Sequence, residues 1–487
     1  MDAKNGRGMR PRRMSVAVDS AAEYEEKQAA AKDDNPESKP SNPESKDKRK
    51  EEMTQSQFHW LMVVSGLSFM MYGSVWNLLS NYLHNPLTFY VDTTHLHWNT
   101  SFPAVSLCQV VNGETVTEAT EQYFGPDRAP VLDSLVIDIA FYGGTCYACE
   151  ECHPGAPVST LDCAGLSNFS ALVQRHRATC EDLLTDCQWQ REPVDCCRLF
   201  RPLDTEFGRC YSVNAANSAA GPREVGGAPL PRLVSNRATG PGRLGFRVLE
   251  DVQLYLHDEF SVPHAYVDRA LRETVLWGMR KEIAVRVIEM ENKATVHELP
   301  IWRRNCRFPW EVADEALQLY RYYSFSTCAM ECFWQTQLQF CNCTHHLMPR
   351  PLNLPGSIQP DAPAVCSFEG LTCLTERSVE IARARKQCPC LSSCVEPEYF
   401  VVHKSEDTFA ESEEEEGRIV VRLQSLPYER FVRNIAKTEM DLFIALGGLI
   451  GLFYGMSLLT SIDFLINVCR LAFRVLCPCR NRLRDGG

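Results

Sequence analysis

The sequence predicts a membrane protein in which two transmembrane helices flank one large, disulfide-rich extracellular domain. Three observations carry this prediction: two long uncharged segments near opposite ends of the chain, twenty of the 23 cysteines between them, and basic clusters outside both. Reducing compartments do not favour such a density of cysteines. The region that contains them is therefore expected outside the cell.

The uncharged segments run from Met53 to Val91 and from Leu442 to Ile462. Each is long enough to cross a hydrocarbon core of about 30 Å. A buried globular helix is the alternative, but uncharged stretches of this length at opposite ends of the chain disfavour it. We expect transmembrane helices over residues 57–82 and 441–468.

The charges outside these helices set the orientation, because basic residues stay on the cytoplasmic side. Both termini, residues 1–56 and 469–487, are therefore expected in the cytoplasm, and residues 83–440 outside. Residues 1–56 are polar and charged and contain no apolar signal-peptide core, so they are expected to be disordered. The flanking basic residues are Lys48, Arg49, Lys50, Arg470, Arg474, Arg480, Arg482 and Arg484.

Three N-x-Ser/Thr sequons all fall in the extracellular segment, at Asn99, Asn168 and Asn342, and are predicted glycosylation sites. Between Cys306 and Cys394, a nested pairing suits two antiparallel segments, although spacing alone does not choose among the many connectivities. The nested pairs are Cys306–Cys394, Cys328–Cys390, Cys332–Cys388, Cys341–Cys373 and Cys343–Cys366.

Composition and motifs exclude other function classes. The net charge of −12 argues against a nucleic-acid partner, since phosphate backbones select basic surfaces. A zinc site over Cys341-Asn-Cys343-Thr-His345-His346 is the metal alternative, but oxidising surroundings favour disulfides. No serine sits in a G-x-S-x-G setting, and we expect no catalytic residues, no metal and no cofactor.

Several motifs together resemble the degenerin/epithelial sodium channel superfamily, which includes the acid-sensing ion channels, and the resemblance covers roughly Phe58 to Val468. Cys187-Gln-Trp-Gln, the doublet Cys196-Cys197 and Phe200-Arg-Pro are most similar to the arthropod pickpocket branch. The motifs that carry the resemblance are Phe102-Pro-Ala-Val-Ser-Leu-Cys108, Gly208-Arg-Cys-Tyr-Ser-Val-Asn214, the Cys306–Cys394 array and Gly447-Gly-Leu-Ile-Gly-Leu-Phe-Tyr-Gly-Met-Ser457.

The resemblance implies an α+β fold and a trimer with a β-sheet palm, a finger over about residues 125–205 and a helical, disulfide-laddered thumb over about 306–394. It implies the pair Cys108–Cys210, and pairing of Cys187 with Cys196 or Cys197, for which we take Cys197. The pairing of Cys146, Cys149, Cys152, Cys163 and Cys180 stays open. Trp302 is expected to rest on the first membrane helix and couple the extracellular domain to the pore.

The same resemblance assigns the pore. Gly455-Met456-Ser457 is expected to be extended, with carbonyl oxygens that replace part of a cation's hydration shell. Asp463 is expected to form an acidic ring on the cytoplasmic side. Glycines are also typical of close helix packing, and we expect this use as well. The packing glycines are Gly447, Gly448 and Gly451.

The resemblance implies a subunit of a sodium-preferring, amiloride-type cation channel of the plasma membrane, gated through its extracellular domain. It is expected to work as a homo- or heterotrimer with related subunits in contact with membrane lipid, with an unidentified extracellular ligand. Relatives carry a His-Gly pair before the first helix that residues 1–57 lack, and relatives' outer-pore aspartate is Ala445 here. A non-conducting regulatory or receptor-like subunit that needs partners is the alternative.

Overall fold

A computed structural model describes residues 43–94, 97–152, 166–218, 232–312, 317–352, 364–407, 418–455 and 457–476. The chain divides into two units. One contains the two ends of the chain, up to Trp76 and from Gly447, and the other runs from Asn77 to Leu446. Met456, Cys163 and the terminal segments 1–42 and 477–487 lie outside the described residues.

The first helix, α1, spans Pro43–His84. Within the described part of the chain, its segment Thr54–His84 is the one helix long and apolar enough to cross a membrane, and its side chains are exposed. The helix begins well before residue 57, so the prediction of disorder up to residue 56 is wrong for residues 43–56. Lys, Glu, Gln and Met are strong helix formers, and proline suits a first helical position.

The C-terminal region forms two helices, α12 over Glu439–Tyr454 and α13 over Leu458–Leu476. The predicted second span, residues 441–468, is thus divided into two helices, and the interruption falls at the predicted pore segment. The 16 residues of α12 are fewer than the ~20 that a straight span requires. Thr438 caps α12: its hydroxyl donates to the Asp441 carboxylate at 2.9 Å and accepts the Asp441 N–H at 3.2 Å.

The second unit contains two main sheets. In the described residues, eight strands form one sheet in the order β1-β17-β12-β16-β9-β4-β5, with β15 also paired to β12, and five form the other, ordered β11-β10-β3-β7-β6. The strands of the first sheet are β1 Leu87–Asp92, β4 Leu184–Trp189, β5 Glu192–Pro193, β9 Arg243–Val248, β12 Arg280–Asn292, β15 Glu398–Asp407, β16 Arg418–Leu423 and β17 Arg430–Ile435. Those of the second are β3 Ala104–Gln109, β6 Arg201–Thr205, β7 Gly208–Val213, β10 Val252–His257 and β11 Arg272–Val275. Short pairs join β2 Thr100–Ser101 to β8 Val234–Ser235 and β13 Cys306–Arg307 to β14 Ser392–Ser393.

The long strand β12 holds the first sheet together because it pairs antiparallel with β15 and parallel with both β16 and β17. Strand β1, directly after α1, pairs antiparallel with β17, directly before α12. The chain segments next to α1 and α12 therefore lie at the same end of one sheet. A core of aromatic and branched side chains, including Phe102, Phe200 and Phe246, packs beneath these strands.

Helices form a second core, built around Leu135, Ile139, Met330 and Leu371. Helix α9 begins at a capping box between Ser324 and Thr327. The helices of the second unit are α2 Gly113–Phe124, α3 Pro130–Ala140, α4 Phe169–His176, α5 Cys180–Leu183, α6 Cys196–Leu199, α7 Ala294–His297, α8 Ile301–Arg304, α9 Phe325–Cys341, α10 Phe368–Glu376 and α11 Ser378–Arg385.

Disulfides fasten α9 to the segment that returns from α10 and α11. The structure forms the nested set Cys306–Cys394, Cys328–Cys390, Cys332–Cys388, Cys341–Cys373 and Cys343–Cys366, together with Cys108–Cys210. Cys343 is thus a disulfide partner rather than a zinc ligand, and the described residues contain no cluster of potential metal ligands.

The prediction that Cys187 pairs with Cys197 is wrong. Cys187 pairs with Cys196, and Cys197 pairs with Cys180. Successive residues of a helix point about 100° apart. Because Cys196 and Cys197 open helix α6, one side chain faces β4 and the other faces α5. The structure also joins Cys146 to Cys149, a pairing that the sequence left open.

Candidate pore segment and coupling contact

The break between α12 and α13 lies at the predicted pore segment. Gly455 has φ +65°, in the left-handed region, and its N–H donates to the Gly451 carbonyl at 2.9 Å. No described atom lies within 4 Å of the position that a Cβ would take at Gly455. Glycine is required here by backbone conformation and not by lack of space.

Ser457 lies directly before α13 and caps it. Its hydroxyl accepts the Thr460 N–H at 3.2 Å, and its carbonyl accepts a hydrogen bond from the Thr460 hydroxyl at 2.8 Å. Serine is a favoured residue for this capping position. A helix end leaves its last carbonyls without helical partners, and the end of α12 lies directly before the cap of α13.

A polar contact inside the first unit joins the end of α12 to α1. The Ser68 hydroxyl donates to the Val64 carbonyl at 2.7 Å and, with that proton engaged, accepts from the Tyr454 hydroxyl at 2.7 Å. Sequence reasoning missed both residues. The sequence signal that identifies Tyr454 is its hydroxyl in an apolar helix, directly before Gly455. Hydroxyl groups in such helices form hydrogen bonds to neighbouring helices.

The remaining pore candidates lie on the same two helices. Gly447 and Gly451 are half-buried, Gly448 is exposed and open to added side-chain volume, and Asp463 is exposed on α13. The described part of this single chain therefore packs nothing closely against Gly448. The small size of Gly448 leaves space for a neighbouring helix to pack closely.

A contact within the second unit joins α8 to the end of α1, and the role expected of Trp302 beside it stays a prediction. Trp302 is 73% exposed. The adjacent Arg303 places its guanidinium 4.0 Å from the centre of the Tyr82 ring, near the end of α1. It also donates to the Tyr82 carbonyl at 2.9 Å and to the Tyr82 hydroxyl at 3.3 Å.

Acidic and histidine side chains share a cavity of about 660 Å³ in the second unit. Burial, together with the nearby charges of Asp258 and Glu398, raises the pKa of Glu396. Burial lowers the pKa of His257, whose Nε2 lies 2.7 Å from the Ser106 hydroxyl. The Asp258 carboxylate accepts hydrogen bonds from two backbone N–H groups, which hold it in place.

The three sequons have exposed asparagines. Asn168 caps α4 through its side-chain oxygen, and Asn342 ends α9 in the left-handed region. Asn99 accepts a hydrogen bond from Asn236 at 3.1 Å. Each position leaves the asparagine accessible, as a glycan acceptor must be.

Residues 44–466 match the family described as amiloride-sensitive sodium channel, and the chain belongs to this family. The family is one of ion channels, and the predicted superfamily is confirmed. A sodium channel protein Nach of Drosophila virilis is 26% identical over 337 residues, which cover 64% of this chain and 82% of the relative. This likeness supports the arthropod branch.

Vertebrate relatives match at similar identity. The human bile acid-sensitive ion channel is 23% identical over 435 residues, or 83% of this chain and 79% of the relative. The acid-sensing ion channel 2 of Danio rerio is 26% identical over 298 residues, or 54% of this chain and 50% of the relative. A cryo-EM structure of a proton-activated chloride channel aligns with 87% of this chain, but the TM-score of 0.26 is too low to support a shared fold.

Proposed function

We propose that this chain is a pore-forming subunit of a trimeric, sodium-preferring, amiloride-type cation channel of the plasma membrane. Both termini are cytoplasmic, and the C-terminal segment 441–468 crosses the membrane as two helical pieces joined at the pore. The observation that carries the proposal is the backbone break at Gly455, which falls inside an otherwise apolar helical segment.

The break supplies the chemistry that a cation filter requires. Non-helical backbone is tolerated at membrane depth only where it lines a cavity or is buried in protein. Three copies of Gly455-Met456-Ser457 would bring free carbonyl oxygens around one axis, where they replace part of the hydration shell of Na⁺. Asp463 lies beyond the filter on α13, and three carboxylates there would concentrate cations at the inner mouth.

Gating passes through the extracellular domain. Arg303 lies on α8, which follows the long strand β12. It contacts Tyr82 through one cation–π contact and two hydrogen bonds. Movement of the sheet would pull on α1 through this contact. Trp302, exposed beside it, is free to contact another subunit. Related subunits and membrane lipid are the partners of this assembly.

The first experiment records current from cells that express the chain alone and with a related subunit. Sodium is replaced by N-methyl-D-glucamine, and amiloride is applied. We expect an inward sodium current that amiloride blocks and the large cation does not support. Absence of that current in both conditions would refute the proposal.

Two matched glycine variants test the filter. Gly455→Ala forces a side chain into the left-handed region, at a cost of about 1–2 kcal/mol, and is expected to reduce sodium selectivity or abolish current. Gly73→Ala is the control: it lies in α1, where an added Cβ meets nothing within 4 Å, and it favours helix by about 1 kcal/mol, so selectivity stays unchanged. Equal selectivity in both variants would contradict the assignment of the filter.

A regulatory subunit is the second candidate, favoured by the missing His-Gly pair in residues 1–57. Asp463→Asn distinguishes the two when the chain is co-expressed with a partner. A conducting subunit changes the conductance of the heteromer, because the acidic ring loses a charge. A regulatory subunit leaves it unaltered while its presence still changes surface expression or activation.

A further inference from the structure

A cavity of about 270 Å³ in the second unit shares no lining residue with the candidate pore segment or with the Arg303 contact. Its walls come from the loop after α3, the turn between β6 and β7, the segment between β10 and β11, and helices α9 to α11 with the residues directly after α9. Tyr142 lies on the loop, Phe333 on α9, and Ile381 and Ala382 on α11. The walls are mostly aromatic and aliphatic.

The charged groups of the cavity neutralise each other. Arg385 donates to both carboxylate oxygens of Glu206, at 2.6 and 2.8 Å, and each side chain is only 7% exposed. The rings of Phe333 and Tyr266 lie over the guanidinium at 4.1 and 4.8 Å. Because Arg385 and Glu206 pair with each other, the cavity has no unpaired charge that would bind an ionic ligand.

Three buried polar groups of the wall are unpaired. The Tyr142 hydroxyl, His345 Nδ1 and Arg385 Nε have no hydrogen-bond partner among the described residues. All three residues are at least nine-tenths buried. Burial lowers the pKa of His345 well below its ordinary value, so its ring is neutral at pH 7. Buried polar groups are normally hydrogen-bonded, and three around one cavity point to a polar guest.

We propose that this cavity binds a neutral, mostly apolar small molecule of one or two rings that carries a hydroxyl group. The volume lies between the ~150 Å³ that holds benzene and the ~300 Å³ at which drug-sized sites begin. The hydroxyl bonds to Tyr142, and the rings pack on Phe333 and Ile381. A bound molecule ties the loop after α3 to helices α9 and α11 and stabilises the second unit by mass action.

The test measures binding and does not depend on conduction. Full-length protein in lipid nanodiscs is titrated with 4-fluorophenol, and bound probe is detected by ¹⁹F NMR line broadening. Saturable binding with a dissociation constant of about 1 mM is expected for so small a probe. The anionic 4-fluorobenzoate is expected to bind at least about ten times more weakly, because a lone charge lacks a partner there.

Matched variants localise the site. Ala382→Phe fills the cavity and is expected to weaken 4-fluorophenol binding by about ten-fold or more, while Ala384→Phe, on the same helix but outside the cavity wall, leaves it unchanged. Tyr142→Phe is expected to weaken 4-fluorophenol about five-fold and to leave fluorobenzene unchanged, since only one hydrogen bond is lost. The Tyr142 variant adds no volume, so it remains informative if Ala382→Phe does not fold.

Three results would overturn the proposal. The first is a lack of saturable binding to the wild-type protein, and the second is equal binding by Ala382→Phe and the wild type. The third is an equal loss of 4-fluorophenol and fluorobenzene affinity in Tyr142→Phe, which would indicate altered packing in place of a hydrogen-bonded guest.

Discussion

The contact between Arg303 and Tyr82 is expected to set the strength of coupling between the extracellular domain and the first helix. A cation–π contact is worth about 0.5–2 kcal/mol, and hydrogen bonds to a charged group about 1.5–3 kcal/mol. Arg303→Met keeps the aliphatic stem but loses all three interactions, at an expected cost of about 2–4 kcal/mol. Tyr82→Leu loses the ring and hydroxyl but keeps the carbonyl acceptor at 2.9 Å, at about 1–2 kcal/mol.

A double-mutant cycle isolates the contact. Because Arg303 and Tyr82 touch directly, the double variant is expected to cost about 1–2 kcal/mol less than the sum of the single variants. Hydrogen exchange of the backbone amides of residues 303–305 measures the free energy of local opening in full-length protein. Activation of the current in the same variants then reports the effect on gating.

The neighbouring Trp302 supplies the control. It is 73% exposed, so Trp302→Ala is expected to change the local opening energy of the monomer by less than about 0.5 kcal/mol. Additive costs for Arg303→Met and Tyr82→Leu, or a larger effect of Trp302→Ala than of Arg303→Met, would refute the assignment of the contact to Arg303.

Three further outcomes are expected. Gly370→Ala should destabilise the disulfide-linked helices by about 1–3 kcal/mol or more, measured by thermal unfolding, because its Cβ would lie 2.6 Å from the Cys343 sulfur. Burial lowers the pKa of His346 from 6.5 to about 4, so the folded state favours the neutral ring. Stability is fully present above pH 6.5 and falls by roughly 3 kcal/mol as the pH drops toward 4, and His346→Gln should remove that part of the pH dependence. The double variant Cys180→Ser/Cys197→Ser should expose no new free thiol in the denatured, unreduced protein, because it removes one complete disulfide.

Each of these has a clear counter-result. Gly245→Ala is the control for Gly370→Ala, since its nearest atoms lie at 3.9 Å, and equal losses in the two variants would contradict the steric argument. An unchanged pH dependence in His346→Gln would assign the acid sensitivity to other buried groups. Two new thiols in the double cysteine variant would mean that Cys187 pairs with Cys197 after all.

Local sequence determined the family, the disulfide-rich mixed domain and the apolar first helix. These features depend on composition and spacing: the number of cysteines, an uncharged run of residues, and the order of short motifs along the chain. The backbone break at Gly455 is also local in origin, because a glycine in the left-handed region and a serine that caps the next helix act within a few residues.

Other features required the tertiary structure. The choice between Cys196 and Cys197 depends on which way a four-residue helix is rotated against β4, and adjacent residues carry no sequence signal for that rotation. The contact of Tyr82 with Arg303, rather than with Trp302, depends on how α8 is oriented where strand β12 ends.

The cavity between Tyr142 and Arg385 is a still clearer case. Its walls are separated by more than two hundred residues in the chain and meet only because the helical core packs and five disulfides hold the helices. Composition and spacing thus determined what kind of protein this is and predicted where its pore segment lies. Three-dimensional packing alone decided which side chains meet, because the energy of a contact depends on direction and distance, which a linear pattern does not contain.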